Sequence, residues 1–267
     1  MSKPLTGVAV LVTRPAHQAG ALAEKIRAAG GNPVVFPVLE ILDMADQHPL
    51  LELIGRLDEF DLAIFVSPNA VNKGMSLIRA NREIPPGLTF GGVGQGTAAA
   101  LRKFGIGPVI VPTKRFDSEA LLEMAELKEV AGKRVVIFRG DGGRELLGQT
   151  LMERGAKLEY AECYRRAKPR ADIAPLLEGL VNGELKAVTM TSSEGLRNLF
   201  DMVGKSAQVW LTKIPLFVSH DRIAKIAGKL GFADVILTSP GDDGLLEGLL
   251  NYFRLKAAVG NSVSVKS

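Results

Sequence analysis

The 267-residue chain reads as an α/β protein built from two similar parallel-sheet domains carrying an internal pseudo-repeat. Two observations predict this. Short β-branched runs alternate with helical patterns throughout, and the second half repeats the first at a spacing of 125 residues. Val10-Leu11-Val12-Thr13-Arg14 falls on Val135-Val136-Ile137-Phe138-Arg139, Leu22 on Leu147, and Gly30 on Gly155. LAIFVSPNAV from Leu62 falls on AVTMTSSEGL from Ala187, and Val93-Gly94 on Val218-Ser219. After one inserted residue, Val109-Ile110-Val111 falls on Val235-Ile236-Leu237.

Apolar, β-branched runs predict strands near 8–13, 33–38, 62–66, 89–93 and 109–112 in the first half. In the second half they predict strands near 134–139, 157–163, 187–191, 216–219 and 234–238. Between them, apolar pairs at i and i+4 mark helices, as at Leu22/Ile26, Leu147/Leu151 and Leu196/Phe200. Ser67-Pro68 places an N-cap before a proline at the first helical position. Thr191 and Glu194 have the spacing of a capping box. Gly30-Gly31 and Gly155 stand where helices should stop, and Asp242-Asp243, after a proline-glycine turn, where one should start. The stretch Ala257–Ser267 has no periodicity and is expected to be a mobile tail, 258–267.

A chain that is 46% hydrophobic can bury its own core without staples. Its single cysteine, Cys163, cannot form an internal disulfide, which fits a reducing compartment. No apolar run is long enough to span a bilayer, and Met1–Gly7 lacks the features of a secretion signal. The expected location is cytoplasmic. Net charge is +4 with acids and bases interspersed, a bias that suits a small polyanion at least as well as DNA, and no nucleic-acid partner is expected. The one dense basic run is Arg165, Arg166, Lys168 and Arg170, equally readable as a solvated strand end.

Parallel α/β sheets bind ligands beyond the carboxyl ends of their strands, where helix N-termini present free amides. Six such ends here are small, polar or basic: Thr13-Arg14-Pro15, Ser67-Pro68-Asn69, Gly94-Gln95-Gly96-Thr97, Arg139 to Arg144, Thr191-Ser192-Ser193 and Ser219-His220. Together they predict an anion-lined cleft. The glycines at 92, 94 and 96 lack the acidic ribose partner expected near Pro112-Thr113-Lys114, and RGDGGR lacks a Walker ending, so no nucleotide cofactor is expected. His17, His48 and His220 are isolated, and no Gly-x-Ser-x-Gly elbow occurs. Cys163 and Trp210 read as packing residues. Tyr164, at the end of a strand-like run beside Arg165 and Arg166, reads either as structural or as a phenol tuned by positive charge.

LVTRP near the start, VSPNAV at 66–71, VGQGTAAAL at 93–101, VVIFRGDGGRELL at 135–147, ECYRR at 162–166 and TSSEGLRNLF at 191–200 form an ordered set. The set resembles the uroporphyrinogen-III synthase family over about residues 5–255. The resemblance implies two α/β domains, 1–37 with 168–257 and 38–167, joined by a two-stranded hinge at Pro33–Ile41 and Leu158–Arg166. It implies a monomer, no metal or redox cofactor, and a linear tetrapyrrole as substrate. Hydroxymethylbilane would lose water to an azafulvene, close through a spiro intermediate and emerge with ring D inverted. Tyr164 matches the family position favoured for assisting departure of water. Ser67, Thr97, Thr191, Ser192 and Ser193 match positions that contact substrate in relatives. Asn69 stands where some relatives carry a basic residue, and Arg222 is assigned the second-repeat slot of Thr97. Ser219 joins this binding set, and Arg14, Arg139 and Arg144 are the expected carboxylate clamps. Two other readings compete: a non-enzymatic two-lobed binder or regulator for a polyanion, and a dinucleotide-dependent oxidoreductase.

Overall fold

The computed structural model describes residues 3–264. Eleven strands lie among them: β1 (Ala9–Val12), β2 (Asn32–Val35), β3 (Glu40–Leu42), β4 (Leu62–Phe65), β5 (Thr89–Gly92), β6 (Val109–Ile110), β7 (Arg134–Gly140), β8 (Lys157–Ala167), β9 (Leu185–Met190), β10 (Leu216–Val218) and β11 (Val235–Leu237). All ten expected strands are present. The addition is β3, a three-residue edge strand beside β8, too short to show a period of two.

The chain divides into two compact units. One contains the residues up to Glu40 together with those from Ala167 on; the other is Ile41–Arg166. The first holds a sheet in the order β11-β10-β9-β1-β2, the second one in the order β3-β8-β7-β4-β5-β6. Each sheet therefore draws strands from both sequence repeats. The pairings β1–β2 and β1–β9 are parallel, as are β7–β8 and β4–β7, and from Val10 and Val135 onward their registers correspond. Val10 faces Pro33 and Ala187, while Val135 faces Leu158 and Leu62. Pro33 is tolerated because β2 is an edge strand.

Register also relocates the inserted residue. Val188 faces Leu216, whereas its counterpart Ala63 faces Phe90. The insertion thus lies between β9 and β10, a stretch that includes the longer helix Ser193–Leu211 with its non-helical Gly204. Gly94 and His220 are then equivalent N-caps. Arg222 accordingly corresponds to Gly96, and the counterpart of Thr97 is Ile223. The sequence comparison misplaced Arg222 because apolar strand patterns tolerate a one-residue shift when strands are only three or four residues long.

Helices Ala16–Ala28 and Leu146–Glu153 bury Leu22/Ile26 and Leu147/Leu151 against their sheets, as the i, i+4 pattern requires. Gly30 and Gly155 follow them with φ of 91° and 87°, the left-handed stop expected there. In the second unit Phe65 and Phe138 stack with centroids 4.4 Å apart. Gly74 lies against them, where a Cβ would meet Phe138 at 2.9 Å. Cys163 is buried, and burial pushes its thiol up to about 12, so it packs rather than reacts. Asp242 and Asp243 do begin a helix, Gly241–Ser264. Its backbone covers most of the expected tail; residues 265–267 lie outside the described residues.

Candidate functional site

The carboxyl ends of β4, β7 and β8 bring Ser67, Gly140 and Tyr164 together. Ser67 is extended and caps the helix Pro68–Asn81, its Oγ accepting the Ala70 N–H at 3.1 Å, with Pro68 at the first helical position. Tyr164 is 1% exposed, and its hydroxyl lies 3.1 Å from Ser67 Oγ. Its ring has to pass over β7 to get there. A Cβ on Gly140 would stand 2.6 Å from Tyr164 Cε2, so only glycine leaves that path open.

A β-bulge aims the ring. Arg139 faces Glu162 but Gly140 faces Tyr164, leaving Cys163 as the extra residue on β8. Strand alternation would put Cys163 and Tyr164 on opposite faces, yet both lie in one core cluster with Phe65 and Phe138. Beyond the bulge alternation resumes. Arg166 donates to the Tyr164 hydroxyl at 3.3 Å and stands 5.5 Å from its ring centroid, whereas Arg165 points to solvent. Of the two arginines flanking the phenol, Arg166 is the one that serves it. The Asp141 N–H donates to Tyr164 O, and Asp141 Oδ1 accepts from the Arg166 N–H, pinning this strand end to the following loop.

Arg139 is buried and tied to its own loop. It donates to the carbonyls of Gly140 and Gly142 and to Glu145, and it lies over the Tyr160 ring at 4.5 Å. Tyr160 donates to the other Glu145 oxygen. Glu145 is held below the usual carboxylate range by the Arg139 hydrogen bond and then by Tyr160. The expected clamp is therefore a brace that shapes the loop 141–145. Arg144 makes a two-armed ion pair with Glu119, whose carboxyl Arg144 holds low. Thr97 is buried in the first turn of the helix Gln95–Lys103. Asn69 lies one residue after Pro68, and a Cβ on Gly96 would be 3.7 Å from Pro68, so these two helix starts adjoin.

In the other unit, the ends of β1, β9 and β10 gather Arg14, Thr191–Ser193 and Ser219. The cap is Ser192, whose Oγ accepts from the Gly195 N–H at 3.1 Å. The capping-box frame expected from Thr191 is one residue off, because β9 ends at Met190 and Thr191 belongs to the turn. Ser193 Oγ is buried without a hydrogen-bond partner. Ser219 is buried behind β10, and Arg222 is exposed on the helix Asp221–Lys229. Arg14 pairs with Asp242 at 2.7 Å. Sequence reasoning missed Gly140, Asp242, Glu119 and Glu145. The repeat gave no signal for these carboxylates: Asp242 and Glu119 are paired by tertiary approach, and Glu145 by the fold of the loop it shares with Arg139. Among the described residues no cluster of three or more His, Cys, Asp or Glu could hold a metal ion, and no helix is long and apolar enough to cross a membrane.

Fold and site define an α/β protein of two parallel-sheet units that carries its polar side chains at the carboxyl ends of the strands. The family model described as "Uroporphyrinogen-III synthase HemD" matches residues 20–247. The chain is 35% identical over 248 residues to the uroporphyrinogen-III synthase of Salmonella typhimurium, covering 91% of this chain and 100% of the relative. It is 34% identical over 245 residues to that of Escherichia coli, with the same coverage. Among solved structures, a mutant uroporphyrinogen III synthase from Thermus thermophilus shares the fold at TM-score 0.64 and 19% identity, covering 93% of this chain and 99% of that one. The chain belongs to the uroporphyrinogen-III synthase family.

Proposed function

We infer that this chain cyclises hydroxymethylbilane to uroporphyrinogen III, as a lyase of tetrapyrrole biosynthesis, and that Tyr164 assists the departure of water. Family membership supports the reaction. The observation that supports the acid is the Tyr164 hydroxyl, joined to Ser67 and to Arg166 at the carboxyl end of a parallel sheet. The phenol O–H can donate, and Arg166 is placed to stabilise the negative charge that develops as it does. Breaking the C–O bond of the hydroxymethyl group then yields water and the azafulvene in its N-protonated, cationic form, which balances the phenolate. The later inversion of ring D is a matter of how the bilane is folded in the site, an orientation effect needing no further acid.

In this reading the substrate's carboxylates are held by the helix N-termini at Asn69, Thr97, Ser192, Ser193 and Arg222, with Thr191 and Ser219 beside them. Arg14 and Arg144 can contribute by exchanging Asp242 and Glu119 for substrate carboxylates. The reading takes the enzyme to work in the cytoplasm as a monomer without nucleic acid, in keeping with one buried thiol and a charge spread evenly along the chain.

Tyr164→Phe tests the acid. It keeps the ring packing and should lower turnover roughly 100- to 10,000-fold, while residual product stays type III. Its stability should fall by only about 1 kcal/mol, the worth of one hydrogen bond. Wild-type turnover in this variant would return Tyr164 to a packing role.

A further inference from the structure

We propose that the atom delivering the proton to the departing hydroxyl is Ser67 Oγ, resupplied from Tyr164. The inference rests on the reading of Tyr164 as the acid. Its basis is the direction in which the hydrogen bonds must run. Arg166 has only donors, so at 3.3 Å its N–H gives to the Tyr164 oxygen. The Ala70 N–H likewise gives to Ser67 Oγ. The remaining contact, between the two hydroxyls at 3.1 Å, can carry one proton in either direction. Were Ser67 the donor, the O–H of a tyrosine only 1% exposed would be left without any of the acceptors that surround it here. A buried, unmatched donor is the costly arrangement. Tyr164 therefore donates to Ser67. The serine oxygen then accepts twice, and its own proton points away from both partners. Ser67 is also the less buried of the two, so its O–H is the one a substrate oxygen can reach.

The resulting chain runs Arg166 N–H to Tyr164 O–H to Ser67 O–H to the hydroxymethyl oxygen. As the C–O bond breaks, its electron pair leaves with oxygen. That oxygen takes the Ser67 proton and departs as water, and Ser67 takes the Tyr164 proton. The phenolate left beside Arg166 regains its proton through Ser67 when ring D releases one on final closure. Protons and electrons balance with no added reagent. Ser67 is thus a catalytic residue, Tyr164 its proton source and Arg166 a positioning residue.

Ser67→Asn separates relay from capping, since asparagine caps a helix as well as serine but has no hydroxyl to pass a proton. It should lower turnover roughly 100- to 10,000-fold, leave KM nearly unchanged and keep the wild-type melting temperature. Ser67→Thr, retaining both cap and hydroxyl, should keep most of the turnover. Combining Ser67→Asn with Tyr164→Phe should cost no more than either change alone, because both cut one path. Single-turnover rates of the wild-type enzyme in mixtures of light and heavy water should fall along a curve, as two moving protons require. A raised KM with full turnover in Ser67→Asn, or a straight line in the mixtures, would overturn the relay. If Tyr164→Phe is impaired while Ser67→Asn is not, the relay alone fails; if Tyr164→Phe is fully active, the acid fails with it.

Discussion

Ser67 and Ser192 occupy the same place in the two repeats and make the same bond. Each follows a buried central strand, each is extended, and each accepts at 3.1 Å from the amide three residues on. What surrounds them differs. Beside Ser67 stand Tyr164, Gly140 and Arg166; the residues at the corresponding positions of the other repeat are Leu39, Pro15 and Ile41. Over the four positions that the β1–β2 pairing shares with β7–β8 neither is interrupted; the β7–β8 bulge lies beyond them, between Arg139 and Gly140. Duplication thus supplied two anion-ready helix ends, and three side-chain differences made the second unit's end a candidate for proton chemistry. The lesson is that a cap is a scaffold; reactivity came from what was brought across the neighbouring strand to meet it.

The most damaging way to probe this contrast is Gly140→Ala. The added Cβ would lie 2.6 Å from one ring carbon of Tyr164 and 2.8 Å from another. Overpacking of this kind costs about 1–3 kcal/mol, and the displaced hydroxyl should lose Ser67, so turnover should fall toward that of Tyr164→Phe. Melting temperature and turnover measured on one preparation check it. A fully active, equally stable alanine variant would mean the ring does not need the gap.

A sharper test compares the two caps directly. Ser67→Ala and Ser192→Ala should each cost about 1 kcal/mol, the usual price of a lost N-cap. Only the first should depress turnover, whereas the second should act on KM, because Ser192 would hold a carboxylate through the whole reaction. Equal losses of turnover would erase the distinction between the two ends.

The smallest effect concerns the exposed pair Arg144–Glu119. Glu119→Gln should cost about 0.2–1 kcal/mol, as exposed ion pairs do. Glu119 titrates below its ordinary value of 4.5, chiefly through its hydrogen bond to Arg144. The pair's contribution is therefore complete above that value and disappears as pH falls through the depressed one. Denaturant melts of wild type and variant should differ at neutral pH and converge in acid. A gap that persists in acid would assign the effect to something other than the pair.

The α/β class, ten of the strands, the helix stops at Gly30 and Gly155, and the serine cap at Ser67 are all legible from the order of residues alone. These follow from local rules: alternation of apolar runs, the conformational freedom of glycine, and short-range bonds to the next turn of chain. The sequence also singled out Tyr164, through the family resemblance rather than through its chemistry. The position of the inserted residue, the true slot of Arg222 and the commitment of Arg139 to its own loop were decided only by tertiary structure. So were the passage of the Tyr164 ring over Gly140 and the choice of Arg166 over Arg165. Arg139 depends on how the loop 140–145 folds back over it, and the others on which residues face one another across neighbouring strands. A bulge at Cys163 shifts that register by one, and a one-residue shift reverses which side chains are buried together.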